Sequence, residues 1–470
     1  MTLSNHLSDH QRLYSTAALT LTFLAGILVT LGFKDLYPDL ERRYKSSSNA
    51  RRSSTASLLS YADPRRSSLF FGPPLQLEDH ESPSSHGDPL TSFLPNPLGT
   101  ASTGSPTISQ GIESTIGHTP LILLKHLSTL TGRSILAKAE FLNGCGGTPK
   151  DRVALSMLLA AEQSGRLVPH RGDTIYEGTV GSTGISLATL ARARGYRCHI
   201  CMPSDMAMEK SDLLVQLGAT VERVTPAPIT SPDHFVNLAR RRAAEHAAKW
   251  RDGSVGFFAD QFESPANWQA HLHSTGPEIY AQTGGEIAAF VCGAGTGGTI
   301  SGVATYLKEH AKMGDAVQVV LADPQGSGLF NKVKYGVMYS PTEKEGTRRR
   351  QQVDTIVEGI GITRITENFE AGRELIDDAV KVTDDQACRM ARWLVENEGI
   401  FAGSSSAVNL VAAVVTAMKL PEGSNVVTIL CDSGQRHLSK FYKRIGEMGL
   451  DDHDEALDLF ALLGIEKTRA

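Results

Sequence analysis

The chain is predicted to be an α/β protein with largely parallel sheet, and two observations carry this prediction. From Gly111 onward, short apolar runs typical of buried strands alternate with runs typical of helices. Such alternation is characteristic of parallel strands joined by helical crossovers. Glycine-rich segments stand where strand patterns pass into helix patterns. Because ligands of these sheets gather at the carboxyl ends of the strands, the glycine segments are the expected binding loops.

The strands and helices predicted after Gly111 are as follows. Strands are predicted over 174–177, 196–202, 220–224, 288–292, 317–321 and 426–430. Helices are predicted over 183–194, 208–217 and 235–250, and a further helix follows Lys150. Gly195 and Gly218 lie directly behind the first two helices, where glycine typically ends a helix. At 470 residues and 41% hydrophobic content, the chain is long and apolar enough to bury a sizeable core.

The first 110 residues differ in composition from this body. Residues 1–14 are interpreted as a short tail, and residues 15–33 carry no charge and are mostly apolar. Nineteen helical residues rising ~1.5 Å each span about 28 Å, close to the thickness of a bilayer's hydrocarbon core. A transmembrane anchor is therefore predicted over 15–33. Residues 34–110, rich in Ser, Pro, Gly and Arg, are predicted to be a disordered linker to a catalytic body spanning 111–470.

The charges behind the apolar segment predict its orientation. Basic residues lie at 34, 42, 43, 45, 51 and 52, so the body is expected to face the cytosol. A short anchor of moderate hydrophobicity with a basic flank favours a single pass in the mitochondrial outer membrane, with the endoplasmic reticulum as the alternative. A cleaved signal peptide is disfavoured because the apolar run is long and basic residues follow it.

Charge and cysteine content exclude several other classes of protein. The formal net charge of -5 gives no indication of nucleic-acid binding. The six cysteines show no disulfide-framework spacing and are expected to be reduced. Cys198 and Cys201 form the one CxxC pair, but a zinc or redox function requires a second ligand pair or a helix N-terminus. The sequence shows neither, so this pair is predicted to pack in a buried strand, and no metal site is predicted.

Lys150 is the first candidate for chemistry. It ends the glycine-rich run that begins at Asn143, and a lysine there either contacts phosphate or offers its amine to a carbonyl group. Two further glycine loops follow, 178–184 and 293–299, each placed to bind an anion at a helix N-terminus. One reactive amine with two anion loops indicates a site for pyridoxal 5′-phosphate (PLP) and an amino-acid carboxylate.

The loop 293–299 has a second interpretation when it is taken alone. Its spacing of Gly293, Gly295 and Gly298 matches the dinucleotide-binding fingerprint, and Asp323 ends the next predicted strand. That combination is typical of nicotinamide oxidoreductases. On this motif alone, PLP and a dinucleotide remain equally open.

The order of several short segments resolves this ambiguity. The segments are Ile116–Leu121, Lys150–Arg152, Glu177–Gly184, Gln261–Asn267, Thr275–Glu278, Gly293–Thr299, Glu358–Gly361 and Asp432–Arg436. Over roughly residues 112–440 the chain resembles the cysteine synthase and cystathionine β-synthase family of fold-type II PLP enzymes. The resemblance implies a fold similar to the β subunit of tryptophan synthase, with two interleaved three-layer α/β/α subdomains and mostly parallel sheets. It also implies a homodimer.

The resemblance also implies a role for each candidate site residue. Lys150 would attach PLP and later move the Cα proton of the substrate. The PLP phosphate would bind the loop Gly295, Thr296, Gly297, Gly298 and Thr299, while Ser433 would contact the ring nitrogen and Ser182 the 3′-oxygen. The substrate carboxylate would be held by Thr179, Ser182, Thr183 and Gln261. The adjacent Asp432 is an alternative partner of the ring nitrogen.

The implied activity is that of a cysteine synthase. It replaces the acetate of O-acetyl-L-serine with sulfide to give L-cysteine, and the cofactor supplies the carbanion chemistry. The alternatives are a relative that uses serine, O-phosphoserine or homocysteine, and a PLP-binding protein with little turnover. They stay open because the chain departs from the family pattern at His118, Cys145, Val180 and Ser182. His118 stands at the position of an asparagine and is interpreted as a structural substitute.

Overall fold

The computed structural model describes residues 108–206, 208–250, 252–338, 355–450 and 459–464. The predicted tail, the predicted anchor over 15–33 and most of the predicted linker lie outside these residues. Within the described part of the chain, no helix combines the length and the apolar character needed to cross a bilayer.

In the described residues, ten strands form two sheets. They are β1 Leu121–Leu123, β2 Ser134–Ala139, β3 Thr174–Gly178, β4 Arg197–Pro203, β5 Thr220–Val224, β6 Gly256–Phe258, β7 Ala289–Gly293, β8 Gln318–Pro324, β9 Asp378–Val382 and β10 Asn425–Leu430. The larger sheet has the order β1-β2-β10-β7-β8-β9, and the smaller has the order β5-β4-β3-β6. Of these pairs, β1 with β2 is antiparallel, and all others are parallel. The predicted α/β class with mostly parallel sheets is confirmed.

Helices connect the strands and cover both sheets. They are α1 Lys125–Thr131, α2 Lys150–Gln163, α3 Ser182–Ala193, α4 Met208–Gln216, α5 Phe235–Ala244, α6 His246–Trp250, α7 Ala266–Ala270, α8 Gly276–Thr283, α9 Gly298–Thr305, α10 Leu329–Tyr335, α11 Glu367–Glu370, α12 Asp384–Glu398, α13 Ser404–Ala417, α14 Lys443–Glu447 and α15 Leu459–Leu463. Wider, π-helical turns over His271–Thr275 and Tyr306–His310 join α7 to α8 and extend α9.

The two sheets are interleaved along the chain. The four-stranded sheet, 174–258, is inserted between β2 and β7 of the six-stranded sheet. The chain then builds β7, β8 and β9 before β10 returns to lie between β2 and β7. Apolar side chains on the two faces of the larger sheet form separate cores, one with α12 and α13 and the other with α9. A third core joins the smaller sheet to α2 and α3.

The predicted strands all occur, with small shifts at their ends. The predicted helix 235–250 is divided at Glu245 into α5 and α6. The sequence did not indicate β1, β2, β6 or β9. Cys198 and Cys201 lie buried on β4, as predicted, and all six cysteines of the chain, each within the described residues, are free thiols.

Candidate active site

Lys150 is held at the first turn of α2 by the residue that follows it. The Asp151 carboxylate accepts hydrogen bonds from the backbone N–H groups of Gly146 and Gly147, at 2.8 and 2.9 Å. It also accepts one from the Ser186 hydroxyl on α3, at 2.5 Å. Gly147 has φ +62°, a left-handed conformation that glycine adopts without steric cost. The glycine loop before Lys150 is therefore fixed against α3.

The amine of Lys150 lies at the carboxyl ends of the central strands of the larger sheet. It is near enough to Cys292 of β7 and to Cys431 and Asp432 behind β10 to interact with them electrostatically. Loss of surrounding water lowers the pKa of the Lys150 amine, an effect that the neighbouring thiols and carboxylate only oppose. A larger fraction of the amine is therefore neutral, the state that reacts with a carbonyl group.

A buried ion network lies beside this turn of α2. Arg152 contacts Glu140 at 2.8 Å and Glu278 at 2.6 Å, and Lys138 contacts Glu278 at 2.7 Å. All four side chains are almost completely shielded from water. Burial acts to raise the pKa of Glu278, but Arg152 and Lys138 outweigh it and hold that pKa at about 2. With two cations and two anions, the network fixes α2 to β2 and α8 without a net buried charge.

The structure explains why His118 replaces asparagine. His118 is exposed and has φ +48°, a left-handed conformation in which asparagine and histidine are both enriched. Its backbone N–H donates to Glu278 at 3.0 Å. The position therefore selects a residue that tolerates this backbone conformation, in agreement with the interpretation of His118 as a structural substitute.

The loop 295–299 forms a tight turn between β7 and α9. A side chain at Gly297, where φ is +87°, would lie 2.5 Å from the Cα of Phe369. A side chain at Gly295 would lie 2.1 Å from the carbonyl oxygen of Gly359. Because the neighbouring backbone leaves no room for a side chain at either position, both residues must be glycine. The turn leads into the N-terminus of α9, whose backbone N–H groups favour a bound phosphate.

Asn267 connects this loop to the predicted carboxylate-binding residues. Its amide nitrogen donates to the Thr296 hydroxyl at 2.9 Å and to the Gln261 carbonyl oxygen at 2.6 Å. The Thr183 hydroxyl in turn donates to Oε1 of Gln261 at 2.5 Å. The structure thus brings Thr183, Gln261 and Thr296 together through residues that the sequence motifs contained but to which no role was assigned.

The turn before α3 carries the remaining predicted substrate contacts. The Thr179 hydroxyl accepts from the backbone N–H of Gly181 at 3.4 Å, and Ser182 is the first residue of α3. Val180 is 37% exposed and carries no hydroxyl group that could donate to a carboxylate. This turn therefore offers the hydroxyls of Thr179 and Ser182 but none at position 180.

The structure separates the roles of Asp432 and Ser433. Oδ2 of Asp432 lies 2.8 Å from Nε2 of His437. Ser433 accepts a weak bond from the backbone N–H of Gln435 at 3.3 Å, which leaves its own O–H proton available for donation. Among the described residues, Oδ1 of Asp432 has no hydrogen-bond partner. Asp432 is thus paired with His437, while Ser433 keeps a free donor.

These features fit PLP. A half-buried amine with a lowered pKa, a glycine turn at a helix N-terminus and a serine hydroxyl with a free proton lie at one edge of the larger sheet. They match the aldehyde, phosphate and ring nitrogen of the cofactor in chemical type. Among the described hydrogen bonds, no carboxylate accepts from the 295–299 loop, whose side-chain partners are Asn267, His271 and Thr366, which suits a doubly charged phosphate.

Sequence reasoning missed several residues that support this site. Arg436 donates to the carbonyl oxygen of Gly146 and so holds the lysine loop from the opposite side. His271 contacts the Thr299 hydroxyl at 3.2 Å, and burial lowers the pKa of its ring to about 3. A neutral imidazole with two hydrogen-bonding nitrogens therefore supports the glycine turn. In the sequence, Arg436 ends the segment Asp432–Arg436 without an assigned role, and His271 lies between the segments that end at Asn267 and begin at Thr275.

Comparison with known proteins shows relatives that match this chain in sequence and structure. It is 66% identical to cysteine synthase 2 of Neurospora crassa, over 98% of this chain and 99% of the relative. It is 53% identical to a protein of Saccharomyces cerevisiae named putative mitochondrial cysteine synthase, over 75% of this chain and 88% of that one. A crystal structure of O-ureido-L-serine synthase superposes with a TM-score of 0.60 at 31% identity, covering 76% of this chain and 100% of that chain.

These findings correct the predicted localisation. The prediction of a single-pass protein of the mitochondrial outer membrane or endoplasmic reticulum was wrong. The segment on which it rested, 15–33, lies outside the described residues, and the described residues contain no helix able to span a membrane. The yeast relative's name refers to the mitochondrion without reference to an anchor. Apolar composition over nineteen residues was insufficient evidence, because several Ser and Thr residues kept the segment only moderately hydrophobic.

The match to a protein family covers every candidate site residue except Ser433. The profile of the family described as pyridoxal-phosphate dependent enzymes matches residues 112–432, which include Lys150, both anion loops and the end of β10. The Neurospora crassa relative extends the similarity over nearly the full chain. The solved O-ureido-L-serine synthase adds a structural likeness that covers 76% of this chain. The chain therefore belongs to the pyridoxal-phosphate dependent enzymes.

Proposed function

We propose that this enzyme is a cysteine synthase, which converts O-acetyl-L-serine and sulfide to L-cysteine and acetate. The observation that carries the proposal is the placement of Lys150, whose amine has a lowered pKa and lies near Cys292 of β7 and near Cys431 and Asp432 behind β10. The relatives named cysteine synthase 2 support the same activity.

Each candidate residue has a role in this proposal. Lys150 holds the cofactor and then carries the proton between its own Nζ and the substrate Cα, which its lowered pKa favours. The loop 295–299 binds the cofactor phosphate. Ser433 would hold the ring nitrogen by donating a hydrogen bond from its hydroxyl group, which accepts only a weak bond from Gln435. When bound, PLP supplies the electron sink for the Cα carbanion.

The substrate carboxylate is assigned to the turn before α3. Thr179, Ser182 and Thr183 provide hydroxyl donors there, and Gln261 is oriented by Thr183 and Asn267. Ser182, the first residue of α3, would also contact the 3′-oxygen of the cofactor. The carboxylate bridges the turn and Gln261, which excludes water from the reacting atoms.

A spectroscopic experiment tests this assignment. The purified full-length protein is expected to show the visible absorption band of lysine-bound PLP, and O-acetylserine is expected to shift that band. In Lys150→Ala both the band and cysteine formation should be lost, the latter by at least about a thousandfold. Lys125→Ala, an exposed lysine on α1, is the matched control and should behave as wild type. A full band in Lys150→Ala would refute the attachment point.

A related β-replacement activity is the second candidate, and Val180 and Ser182 favour it. Position 180 lacks a hydroxyl, so the carboxylate of O-acetylserine accepts one hydrogen bond fewer than in the family pattern. One solved relative is itself named O-ureido-L-serine synthase. Steady-state assays with serine, O-phosphoserine and homocysteine distinguish the candidates. A higher kcat/KM for any of these than for O-acetylserine with sulfide would replace the main assignment, and no turnover with any of them would indicate a PLP-binding protein.

We also propose that the enzyme is a homodimer with its catalytic body at 111–470. Large apolar side chains stand exposed on that body, among them Leu123, Leu142 and Leu438, and such surface is typical of subunit interfaces. Light scattering coupled to size-exclusion chromatography tests the dimer, and a monomer mass at micromolar concentration would refute it.

A further inference from the structure

Three side chains with metal-binding atoms meet on the smaller sheet, away from the lysine site. His199 and Cys201 are two residues apart on β4 and therefore point to the same face. Cys201 is paired with Glu222 of the neighbouring strand β5. One ligand atom from each of the three residues lies within 4.8 Å of the other two, and Nε2 of His199 is 3.1 Å from Oε2 of Glu222.

These separations are close to those of a tetrahedral zinc site. Zinc lies about 2.0–2.1 Å from imidazole nitrogen or carboxylate oxygen and about 2.3 Å from thiolate sulfur. At tetrahedral angles, the ligand atoms are then about 3.3–3.6 Å apart. The 3.1 Å between His199 and Glu222 is within about 0.2 Å of that spacing, and Cys201, within 4.8 Å of both, requires an inward shift of at most about 1.2 Å.

The burial of the three side chains suits a metal with one open position. Cys201 is completely buried, whereas the side chains of His199 and Glu222 are 16% and 28% exposed. A metal ion would rest on the thiolate sulfur and face solvent on the opposite side, where a water molecule completes the coordination. One thiolate, one carboxylate and a divalent cation sum to zero charge, which limits the cost of placing the ion there.

The free energy of metal binding depends on the protonation states of His199 and Cys201. Burial lowers the pKa of His199, so the ring is neutral at pH 7 and one nitrogen offers a lone pair. Burial raises the pKa of the Cys201 thiol to about 12. A metal must therefore displace the thiol proton to solvent, as zinc does when it binds cysteine.

Arg242 on α5 defines the outer side of the cluster. It donates to Oε1 of Glu222 at 2.8 Å and to Oε2 at 3.1 Å. A metal would take the place of the His199 contact at Oε2, while Arg242 keeps Oε1 and orients the carboxylate. Such outer hydrogen bonds are typical of metal-binding carboxylates.

We propose that His199, Cys201 and Glu222 bind Zn²⁺ with water as the fourth ligand. The site joins the edge strand β5 to β4 and lies outside the catalytic machinery, so it does not depend on the proposed cysteine synthase activity. Cys198, the other member of the CxxC pair, packs in the core on the opposite face of β4 and takes no part. The zinc ligands are therefore two alternate residues of β4, His199 and Cys201, and Glu222 on the neighbouring strand β5.

The test uses the full-length enzyme with PLP bound. The protein is freed of metal with a chelator, dialysed against Zn²⁺ and analysed for bound zinc by mass spectrometry. Wild type is expected to retain one zinc per chain, and zinc-edge X-ray absorption should show a single sulfur ligand. Cys201→Ala and Glu222→Gln should weaken binding by more than about tenfold, while Cys198→Ala, the matched control, should bind as wild type.

Several outcomes would overturn the proposal. These are no retained zinc in wild type, zinc without a sulfur ligand, or equal binding by Cys201→Ala and wild type. If the buried Cys201→Ala variant does not fold, as judged by circular dichroism and by loss of the PLP band, the partly exposed Glu222→Gln variant decides the question. Because zinc content is measured independently of turnover, failure of the cysteine synthase assignment leaves this test intact.

Discussion

At the scale of single residues, the hydrogen bonds behind β10 support Ser433, and not Asp432, as the proposed partner of the cofactor's ring nitrogen. Asp432 and Ser433 are adjacent, and the sequence alone left either as the partner of the ring nitrogen. The structure pairs Asp432 with His437, five residues further along the chain, so Ser433 retains the free hydroxyl. This pairing was not predictable, because nothing in the sequence distinguishes His437 from any other histidine near a motif.

Replacing His437 with Leu is expected to affect the cofactor as well as stability. Asp432 would lose its hydrogen-bond partner while remaining buried, at a cost of about 1–3 kcal/mol in the free energy of unfolding. The visible band of the holoenzyme should change because a carboxylate near the ring is freed. His437→Gln, which can still donate to Asp432, should restore much of both properties. Equal spectra for the Leu variant and wild type would show that the hydrogen bonding of Asp432 does not affect the absorption of the cofactor.

A hydroxyl at position 180 should improve substrate binding if the proposed function holds. Val180→Ser adds a donor to the turn that faces the carboxylate, and a hydrogen bond to a charged group is worth about 1.5–3 kcal/mol. We therefore expect KM for O-acetylserine to fall about tenfold while kcat changes little. Val180→Ala controls for the loss of the methyl groups. Identical KM values for the Ser and Ala variants would exclude position 180 from the carboxylate site.

At the scale of elements, the sequence predicts the strands and helices that have a clear hydrophobic pattern or a glycine at their end. The buried strands β3, β4, β7, β8 and β10 are short apolar runs and were all recognised. In contrast, β6 has only three residues, and β9 begins with an aspartate and contains a lysine, so neither has a distinctive pattern. The ion network that fixes α2 could not be predicted from the sequence either, since Arg152 and Glu278 are 126 residues apart.

Breaking this network should destabilise the enzyme far more than breaking a surface pair. Glu278→Gln leaves Lys138 without its anionic partner in a buried position, and we expect a loss of about 3–5 kcal/mol in the free energy of unfolding. Asp385→Asn removes the exposed i,i+4 pair with Arg389 on α12 and should cost less than about 0.5 kcal/mol. Urea denaturation of both variants measures the difference. Comparable losses would show that the network contributes no more than a surface pair.

At the scale of the whole molecule, buried carboxyl groups should shape the dependence of stability on pH. Burial, assisted by the charge of Asp260, raises the pKa of Glu177 from its ordinary value of 4.5 to about 8. The folded protein therefore binds more protons than the unfolded chain between these values. The contribution of Glu177 is fully present below about pH 4.5 and decreases as the pH rises towards about 8.

Comparison of wild type with Glu177→Gln isolates this effect. The amide stays neutral, so the variant should gain stability relative to wild type as the pH rises from 5 to 8, by a few kcal/mol in total. Urea titrations at four or five pH values measure the two curves. A constant difference between the curves would indicate that Glu177 is ionised in the folded protein throughout this range.

The position of β10 has a consequence for the biosynthesis of the enzyme. The smaller sheet is built from one continuous stretch, 174–258, whose strands are all available once that stretch has left the ribosome. The larger sheet instead has β10 between β2 and β7, so β1 and β2 stay separated from β7, β8 and β9 until about residue 430 has emerged. Since domains tend to fold as their segments become available, the nascent chain carries two unfinished apolar sheet edges from the completion of β7 at Gly293 until β10 is made. A ribosome stalled shortly before β10 would therefore present a strong target for chaperones, and completion of this single strand converts two open edges into one continuous sheet.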